Sequence, residues 1–271
     1  MIRFEHVHYS IGGRKILEDV SFTVAKGTTK IIMGPSGIGK STALRLILGL
    51  VQPDAGDIFV DGQSVVKADP DTLNTIRQSI GMVFQDGALF DSLTVGENIG
   101  YWLFENSHAS EDEVEKIACE KLALVGLPPT LIDSMPDELS IGMQRRLAIA
   151  RALASGQPKV ILYDEPTTGL DPNSLEMVTD VIVRLRQELE MTSIVVTHQI
   201  PDALKVGSDY LFLYDRTVHF EGDARALATS TDRDLVHFLD PFKKNLATAV
   251  ASFGGASAAA GGATAERTFP Q

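Results

Sequence analysis

The first part of the chain alternates apolar and polar residues in short runs. Residues 2–7 and 20–24 follow this pattern, which is typical of strands that bury one face, and Gly12-Gly13 indicates a turn between them. Residues 58–60 form another short run that ends in a turn. Together these segments predict a small antiparallel sheet.

Continuous apolar runs replace this alternation further along the chain. They occupy residues 29–33, 83–84, 160–163 and 193–197. Such runs are typical of parallel strands that are covered on both faces. Helical periodicity dominates residues 95–155, and residues 211–214 and 217–220 predict a closing hairpin around Asp215-Arg216. The pattern therefore predicts an α/β fold with an antiparallel β-subdomain beside its core.

The segment between the apolar run at 29–33 and a helix predicted over 41–49 carries the phosphate-binding pattern G-x-x-x-x-G-K-[ST]. Its glycines let backbone N–H groups approach a polyphosphate closely, and the following helix points its N-terminus at the same place. We expect Lys40 to bind the β- and γ-phosphates and Ser41 to bind Mg²⁺. The predicted nucleotide loop consists of Gly34, Pro35, Ser36, Gly37, Ile38, Gly39, Lys40, Ser41 and Thr42.

Two carboxylates follow the apolar run at 160–163. A strand that ends beside a phosphate loop can place one carboxylate near Mg²⁺, which is the role predicted for Asp164. The next residue, Glu165, is then placed to polarise a water molecule that attacks the γ-phosphate. An apolar run followed by Asp-Glu is common by itself, and the phosphate loop upstream is what favours the functional interpretation.

Five further residues indicate a function only through their order along the chain. Ser140 is a natural N-cap for a helix, and Gly142 leaves backbone N–H groups accessible at its start. Gln85, Asp171 and His198 each follow a predicted strand or the carboxylate pair. Taken singly, each of these residues is as compatible with a structural role as with a functional one.

Composition excludes several classes of function. The chain has 271 residues, a net charge of −12 and one cysteine, so nucleic acid is not expected as the main partner and no intrachain disulfide can form. No signal peptide is recognisable, and no run of about 18 apolar residues predicts a membrane span. Residues 241–271 are rich in Ala, Gly, Ser and Thr and predict a flexible tail. Its aromatic residues Phe242, Phe253 and Phe269 would either dock on a partner or remain solvated.

The order of these motifs resembles the ATPase subunit of an ATP-binding cassette (ABC) transporter over roughly residues 1–240. The resemblance implies a P-loop NTPase core of the ABC type, an antiparallel β-subdomain and a helical signature subdomain at about 88–157. It implies ATP and Mg²⁺ as ligands, with Ser41, Gln85 and Asp164 on the metal. The catalytic residues it implies are Glu165, His198 and Gln85.

The same resemblance implies a head-to-tail dimer of two copies. Ser140 and Gly142 would act on the ATP held by the opposite copy, and Asp171 would lie at the interface between the copies. The position that usually stacks an aromatic residue on adenine falls on Ile11, so we expect an aliphatic contact and weaker base selectivity. Ile141 replaces a glycine of the usual signature, and Met143 replaces its Gln. We expect an ordinary φ at Ile141, the alternative being a mildly strained signature.

The segment 84–98, which contains Phe-Gln-Asp-Gly-Ala-Leu-Phe, is similar to the cassettes of Mce/Mla-type lipid transport systems. This likeness implies phospholipid or lipid transport between the bacterial inner membrane and the envelope. The implied partners are integral membrane permease subunits and an Mce-type lipid-binding subunit, with the chain peripheral on the cytoplasmic face of the inner membrane. Residues 87–90 would border the groove for the permease, unless Leu89 and Phe90 pack inside the helical subdomain instead.

Three other functions remain open at this point. The chain could be a transport cassette for another substrate, such as an amino acid or a lipoprotein. It could be a soluble ABC protein that acts on ribosomes or DNA, which the single cassette and acidic charge disfavour. It could also be a nucleotide-binding regulator without hydrolysis, which the presence of both Glu165 and His198 disfavours.

Overall fold

A computed structural model of the protein describes residues 1–156 and 158–248. In these ranges the strands are β1 (Ile2–Ile11), β2 (Arg14–Val24), β3 (Thr29–Met33), β4 (Ala55–Val60), β5 (Gln63–Ser64), β6 (Ile80–Val83), β7 (Val160–Asp164), β8 (Thr192–Val196), β9 (Asp209–Tyr214) and β10 (Thr217–Gly222). The helices are α1 (Lys40–Ile47), α2 (Pro70–Gln78), α3 (Val95–Asn106), α4 (Glu111–Leu124), α5 (Ile141–Ala154), α6 (Pro172–Leu189), α7 (Ile200–Val206), α8 (Ala224–Thr229) and α9 (Arg233–Leu239). Short 3₁₀ turns occupy Pro129–Leu131, Pro136–Glu138 and Asp240–Phe242.

Two sheets make up the fold, as the alternation pattern predicts. The smaller sheet has the order β2-β1-β4-β5 with antiparallel pairing throughout. The larger sheet has the order β10-β9-β3-β8-β7-β6, in which all neighbours are parallel except the β9–β10 hairpin. The predicted antiparallel sheet, parallel core and closing hairpin are therefore confirmed.

The larger sheet is buried on both faces, which explains its unbroken apolar runs. Within β3, Ile31 packs into the hydrophobic cluster that contains α5 and α6, and Ile32 packs into the opposite cluster with α1 and the small sheet. Adjacent residues of a strand point to opposite faces, so each face needs an apolar partner. The layers place the carboxyl ends of β3, β7 and β8 together at one edge.

Three helices occupy the described part of the range 88–157, which the sequence assigned to a helical subdomain. The side chains of Thr94 and Ser110 cap α3 and α4, each in a capping box with the glutamate three residues later. Ser140 caps α5 as predicted, because its Oγ accepts a hydrogen bond from the backbone N–H of Met143 at 3.3 Å. Between residues 1 and 248, leaving out 157, no helix is long and apolar enough to cross a bilayer.

The predicted tail starts too early at residue 241. The 3₁₀ turn Asp240–Phe242 continues into helical residues 243–248, Leu246 is buried in the main core, and Phe242 packs against it. The composition of the segment, which is rich in small residues, did not predict this helix. One buried apolar side chain, that of Leu246, holds the segment against the core. Phe253 and Phe269 lie outside the described residues.

Candidate nucleotide-binding site

The predicted phosphate loop connects the end of β3 to the start of α1. Gly34, Gly37 and Gly39 have φ angles of 151°, 78° and 109°, which side chains rarely allow. A Cβ at Gly34 would lie 2.3 Å from the carbonyl oxygen of Leu213, so this position also requires glycine for a close approach. The loop geometry therefore leaves the N-terminus of α1 free to face an anion.

Lys40 is the buried cation of the loop. Its side chain is only 6% exposed, and Nζ donates hydrogen bonds to the carbonyl oxygens of Gly34 at 2.9 Å and Pro35 at 3.1 Å. Burial lowers the pKa of Lys40, while the charges of Glu165 and Asp164 oppose this shift. The ammonium group is thus held at the centre of the loop, between the glycine turns and two carboxylates.

Asp164 joins the end of β7 to the phosphate loop. Ser41 Oγ donates a hydrogen bond to Asp164 Oδ1 at 2.7 Å. Burial raises the pKa of Asp164; the hydrogen bond from Ser41 opposes the shift, and the charge of Glu165 adds to it. Ser41 and Asp164 are 123 positions apart in the sequence, yet their side-chain oxygens lie together here. Oxygen atoms of this kind are the ligands that Mg²⁺ prefers.

Glu165 has an unusual backbone conformation. Its φ is 50°, and its backbone N–H donates to the carbonyl oxygen of Val196 at 2.9 Å. A non-glycine residue in this region is uncommon and is found preferentially at functional sites. The carboxylate accepts a hydrogen bond from Thr168 Oγ1 at 3.0 Å, and its Oε2 lies 2.9 Å from Nδ1 of His198. Glu165 and His198 are therefore adjacent, and Thr168 is a member of the site that the sequence analysis missed.

A cavity of about 290 Å³ lies over the loop. It brings together residues predicted for the phosphates, the metal and the attacking water. Its lining consists of Ile16, Ser36, Gly37, Gly39, Lys40, Ser41, Thr42, Gln85 and Glu165. Ile16 was not predicted, although its position on β2 beside Gly39 places it against the loop. Ile11 lies at the end of β1 with 54% exposure, outside this lining, and its adenine contact remains a prediction.

The signature residues Ser140 and Gly142 do not line this cavity. They lie at the start of α5, where Ile141 has helical geometry without a positive φ, so the expected ordinary conformation is confirmed. Ile141 is 61% exposed at this helix terminus.

Gly142 has a structural role that the sequence did not reveal. A Cβ added there would lie 2.3 Å from Ser174 Oγ and 2.5 Å from Ser174 Cβ. Ser174 is fixed at the start of α6, because Asp171 caps that helix by accepting hydrogen bonds from the N–H groups of Asn173 and Ser174, both at 3.1 Å. A hydrogen bond from the Ser174 side chain, together with the backbone hydrogen bonds from Ser174 and Asn173, lowers the pKa of Asp171. The signature helix and the segment after the carboxylates therefore touch through Gly142.

The variant Gly142→Ala is expected to destabilise the protein by about 1–3 kcal/mol, because the new methyl group forces α5 and α6 apart. Helical Gly→Ala changes are otherwise stabilising by up to about 1 kcal/mol, so the opposite sign is diagnostic. Urea unfolding measures the difference, and Ser174→Gly should restore most of the loss in the double variant. Equal stability of Gly142→Ala and the parent would refute the contact.

The loop after β6 is held by side chains from α3 and α5. Arg151 donates to the carbonyl oxygens of Ala88 at 2.6 Å and Gly87 at 2.8 Å, and Arg145 donates to that of Phe84 at 3.2 Å. Arg145 and Arg151 are positioning residues that the sequence analysis did not identify.

The fully buried Asn98 holds the other side of this loop. Its Oδ1 accepts from the N–H of Phe90 at 2.9 Å, and its Nδ2 donates to the carbonyl oxygens of Phe90, Leu93 and Thr94, each at 3.0 Å. Leu89 packs against the core, whereas Phe90 is 40% exposed and packs on Tyr101 at 4.6 Å between ring centroids. Of the two apolar residues, one therefore packs inside and the other remains at the surface.

The phosphate loop, the paired carboxylates and the mixed sheet define a P-loop nucleotide-binding cassette. A family model described as ABC transporter matches residues 17–168. The intermembrane phospholipid transport system ATP-binding protein MlaF of Haemophilus influenzae is 38% identical over 239 residues, which cover 88% of this chain and 90% of the relative. The chain belongs to the ABC transporter family and is an ATPase of that family.

Two further proteins extend this likeness. The chloroplastic protein trigalactosyldiacylglycerol 3 of Arabidopsis thaliana is 37% identical over 248 residues, which cover 86% of this chain and 71% of the relative. The ATP-binding cassette MJ0796, solved as a dimer in a post-hydrolysis state bound to ADP and Pi, superimposes with a TM-score of 0.74 at 36% identity. That match covers 82% of this chain and 98% of the solved one. The predicted ABC-type fold is confirmed.

Proposed function

We propose that this chain is the ATP-hydrolysing subunit of a transporter that moves phospholipids or related lipids between the bacterial inner membrane and the envelope. The observation that carries the proposal is the 38% identity to an intermembrane phospholipid transport cassette over 88% of the chain. The segment 84–98, which is similar to lipid-transport cassettes, supports the same proposal.

The geometry supports a direct mechanism for hydrolysis. Lys40 and the N–H groups of the glycine loop bind the β- and γ-phosphates, and Glu165 accepts a proton from water as that water attacks the γ-phosphorus. The bond from the γ-phosphorus to the bridging oxygen breaks, and ADP and phosphate leave. His198, adjacent to Glu165, is placed to hold the carboxylate and to contact the γ-phosphate.

Mg²⁺ fits the oxygen ligands that meet beside the loop. Ser41 Oγ and Asp164 Oδ1 are already 2.7 Å apart, and Gln85 lines the same cavity. These three residues would hold the ion, which neutralises phosphate charge when bound.

A second copy of the chain would complete each site. The signature residues Ser140 and Gly142 lie outside their own phosphate cavity, and Ser140 caps a helix whose N-terminus can accept the phosphate of a facing molecule. Asp171 lies at the start of α6, beside that signature helix. A head-to-tail dimer brings each signature to the opposite phosphate loop.

The permease would dock beside the loop after β6. The exposed aromatic residues Phe90, Tyr101 and Phe104 belong to the same region of loop and helix α3. An apolar helix end of a membrane subunit fits such a surface, which would hold the chain peripherally at the cytoplasmic face of the inner membrane, with an Mce-type lipid-binding subunit in the same assembly.

The proposal is tested by purifying the chain with its co-encoded membrane subunits and identifying the bound lipids by mass spectrometry. We expect phospholipids enriched over their proportions in the surrounding membrane, and ATPase activity in the complex. A complex that hydrolyses ATP but carries no enriched lipid would refute the lipid assignment and favour a cassette for another substrate. A complex without ATPase activity would instead contradict the catalytic roles.

A further inference from the structure

One histidine and two aspartates converge at the C-terminal side of the core, outside the nucleotide cavity. His219 lies on β10, Asp232 is the N-cap residue of α9, and Asp234 lies in the first turn of that helix. One potential ligand atom from each residue lies within 4.8 Å of the others. Two separate elements of the fold therefore bring three metal-binding side chains to one point.

The separations suit a bound ion better than direct hydrogen bonds. Nδ1 of His219 lies 3.5 Å from Asp232 Oδ2 and 3.7 Å from Asp234 Oδ2, beyond good hydrogen-bond distance. Two ligands bound tetrahedrally to Zn²⁺ at about 2.1 Å lie about 3.4 Å apart. In contrast, Nδ1 of His6 lies 2.7 Å from Asp19 Oδ1, which is a direct contact without room for an ion.

Packing fixes the orientation of two of the three side chains. Asp232 Oδ1 accepts a hydrogen bond from the N–H of Leu235 at 2.8 Å, which leaves Oδ2 directed at His219. The imidazole packs edge-on against Tyr214 and Phe212, with ring centroids 5.3 Å and 6.4 Å away. The ligand atoms of His219 and Asp232 are thus held in place by contacts that do not depend on an ion.

The charge around the cluster also favours a cation. In residues 1–156 and 158–248, the only ion-pair partner within 4.0 Å of Asp232 or Asp234 is His219. Two carboxylates without a lysine or arginine partner attract a divalent ion, and their side chains are 30% and 45% exposed, so water can supply a fourth ligand.

We propose that His219, Asp232 and Asp234 bind a divalent transition-metal ion of the Zn²⁺ class. Imidazole nitrogen suits Zn²⁺ and its neighbours in the transition series, whereas Mg²⁺ prefers all-oxygen sites with octahedral geometry. The ion joins β10 to the start of α9 and so clamps the C-terminal helices onto the β9–β10 hairpin. This site is separate from the Mg²⁺ ligands proposed for catalysis.

The full chain is stripped with a chelator, returned to buffer containing Mg²⁺ and ADP, and titrated with Zn²⁺ by calorimetry and thermal unfolding. We expect tight binding of one ion and a higher Tm in the parent protein. His219→Gln and Asp234→Asn should each weaken Zn²⁺ binding at least about tenfold and remove the increase in Tm. His237→Gln, which removes an exposed histidine of the same helix, should behave like the parent.

Co²⁺ supplies an independent readout, because tetrahedral Co²⁺ absorbs visible light strongly and octahedral Co²⁺ absorbs weakly. The parent and His237→Gln should give the strong absorption, and the two ligand variants should not. Equal Zn²⁺ affinity in the parent and both ligand variants would overturn the proposal. A lower Tm of Asp234→Asn in metal-free buffer, with no Zn²⁺-dependent increase in Tm in the parent, would also overturn it in favour of a simple ion pair.

Discussion

Glu165→Gln is expected to reduce ATP turnover by on the order of 10²–10⁴-fold while ATP binding persists. The amide retains the shape of the side chain and can still contact Thr168 and His198, but it lacks the charge that accepts a proton from water. ATP would therefore remain bound, and the variant should accumulate as an ATP-bound dimer. Single-turnover assays measure the rate, and light scattering measures the dimer.

A matched control exists on the same chain. Glu190 also has a positive φ, 49°, but it is an exposed C-cap residue of α6. Glu190→Gln should leave turnover unchanged. Near-parent hydrolysis by Glu165→Gln would show that another group accepts the proton, whereas a loss of ATP binding would show that Glu165 has a structural role.

Mixing two inactive variants should restore part of the ATPase activity. Ser140→Arg places a bulky cation where the signature meets the opposite phosphate, and Lys40→Ala removes the phosphate-binding charge from its own loop. In a mixed dimer, the intact loop of the first variant faces the intact signature of the second. If the two sites work independently, an equal mixture should recover about a quarter of the parent rate, because half of the dimers are mixed and each has one intact site.

Two further variants make this result specific. Mixing Lys40→Ala with Glu165→Gln should restore nothing, because Lys40 and Glu165 line the same cavity of one copy and each site of the mixed dimer therefore carries one defect. Ser140→Asp keeps the helix cap but sets a carboxylate against the phosphate, so it should behave like Ser140→Arg without the loss of the cap. Absence of recovery in the first mixture would favour a monomeric mechanism or strictly coupled sites.

The sequence predicted those strands and loops that a short run of neighbouring residues is enough to identify. The run at 29–33, the glycine loop and the strand before Asp164 carry their own periodicity and spacing, and the structure contains them at those places. Ser140 does not line the cavity over its own phosphate loop, and its action on the ATP of a second copy stays a prediction.

The missed residues act through contacts that form only when the chain is folded. Thr168 reaches Glu165 only because β7 is followed by a tight turn, and Ser174 matters only because α5 crosses α6 at Gly142. Leu246 is one apolar residue in a segment of small residues, so composition indicated a tail where packing forms a helix. No periodicity in a single segment encodes such pairings.

All the side-chain hydrogen bonds that hold the loop after β6 go to its backbone. Arg145, Arg151 and Asn98 bind carbonyl oxygens and one N–H of the loop, rather than its side chains. An exposed side chain such as Phe84 can therefore be exchanged while the path of the chain is kept. Replacing the exposed side chains of this loop with those of another cassette should change which membrane subunit the chain binds. Because the residues that act on ATP lie elsewhere, such cassettes can diverge in partner while their chemistry stays the same.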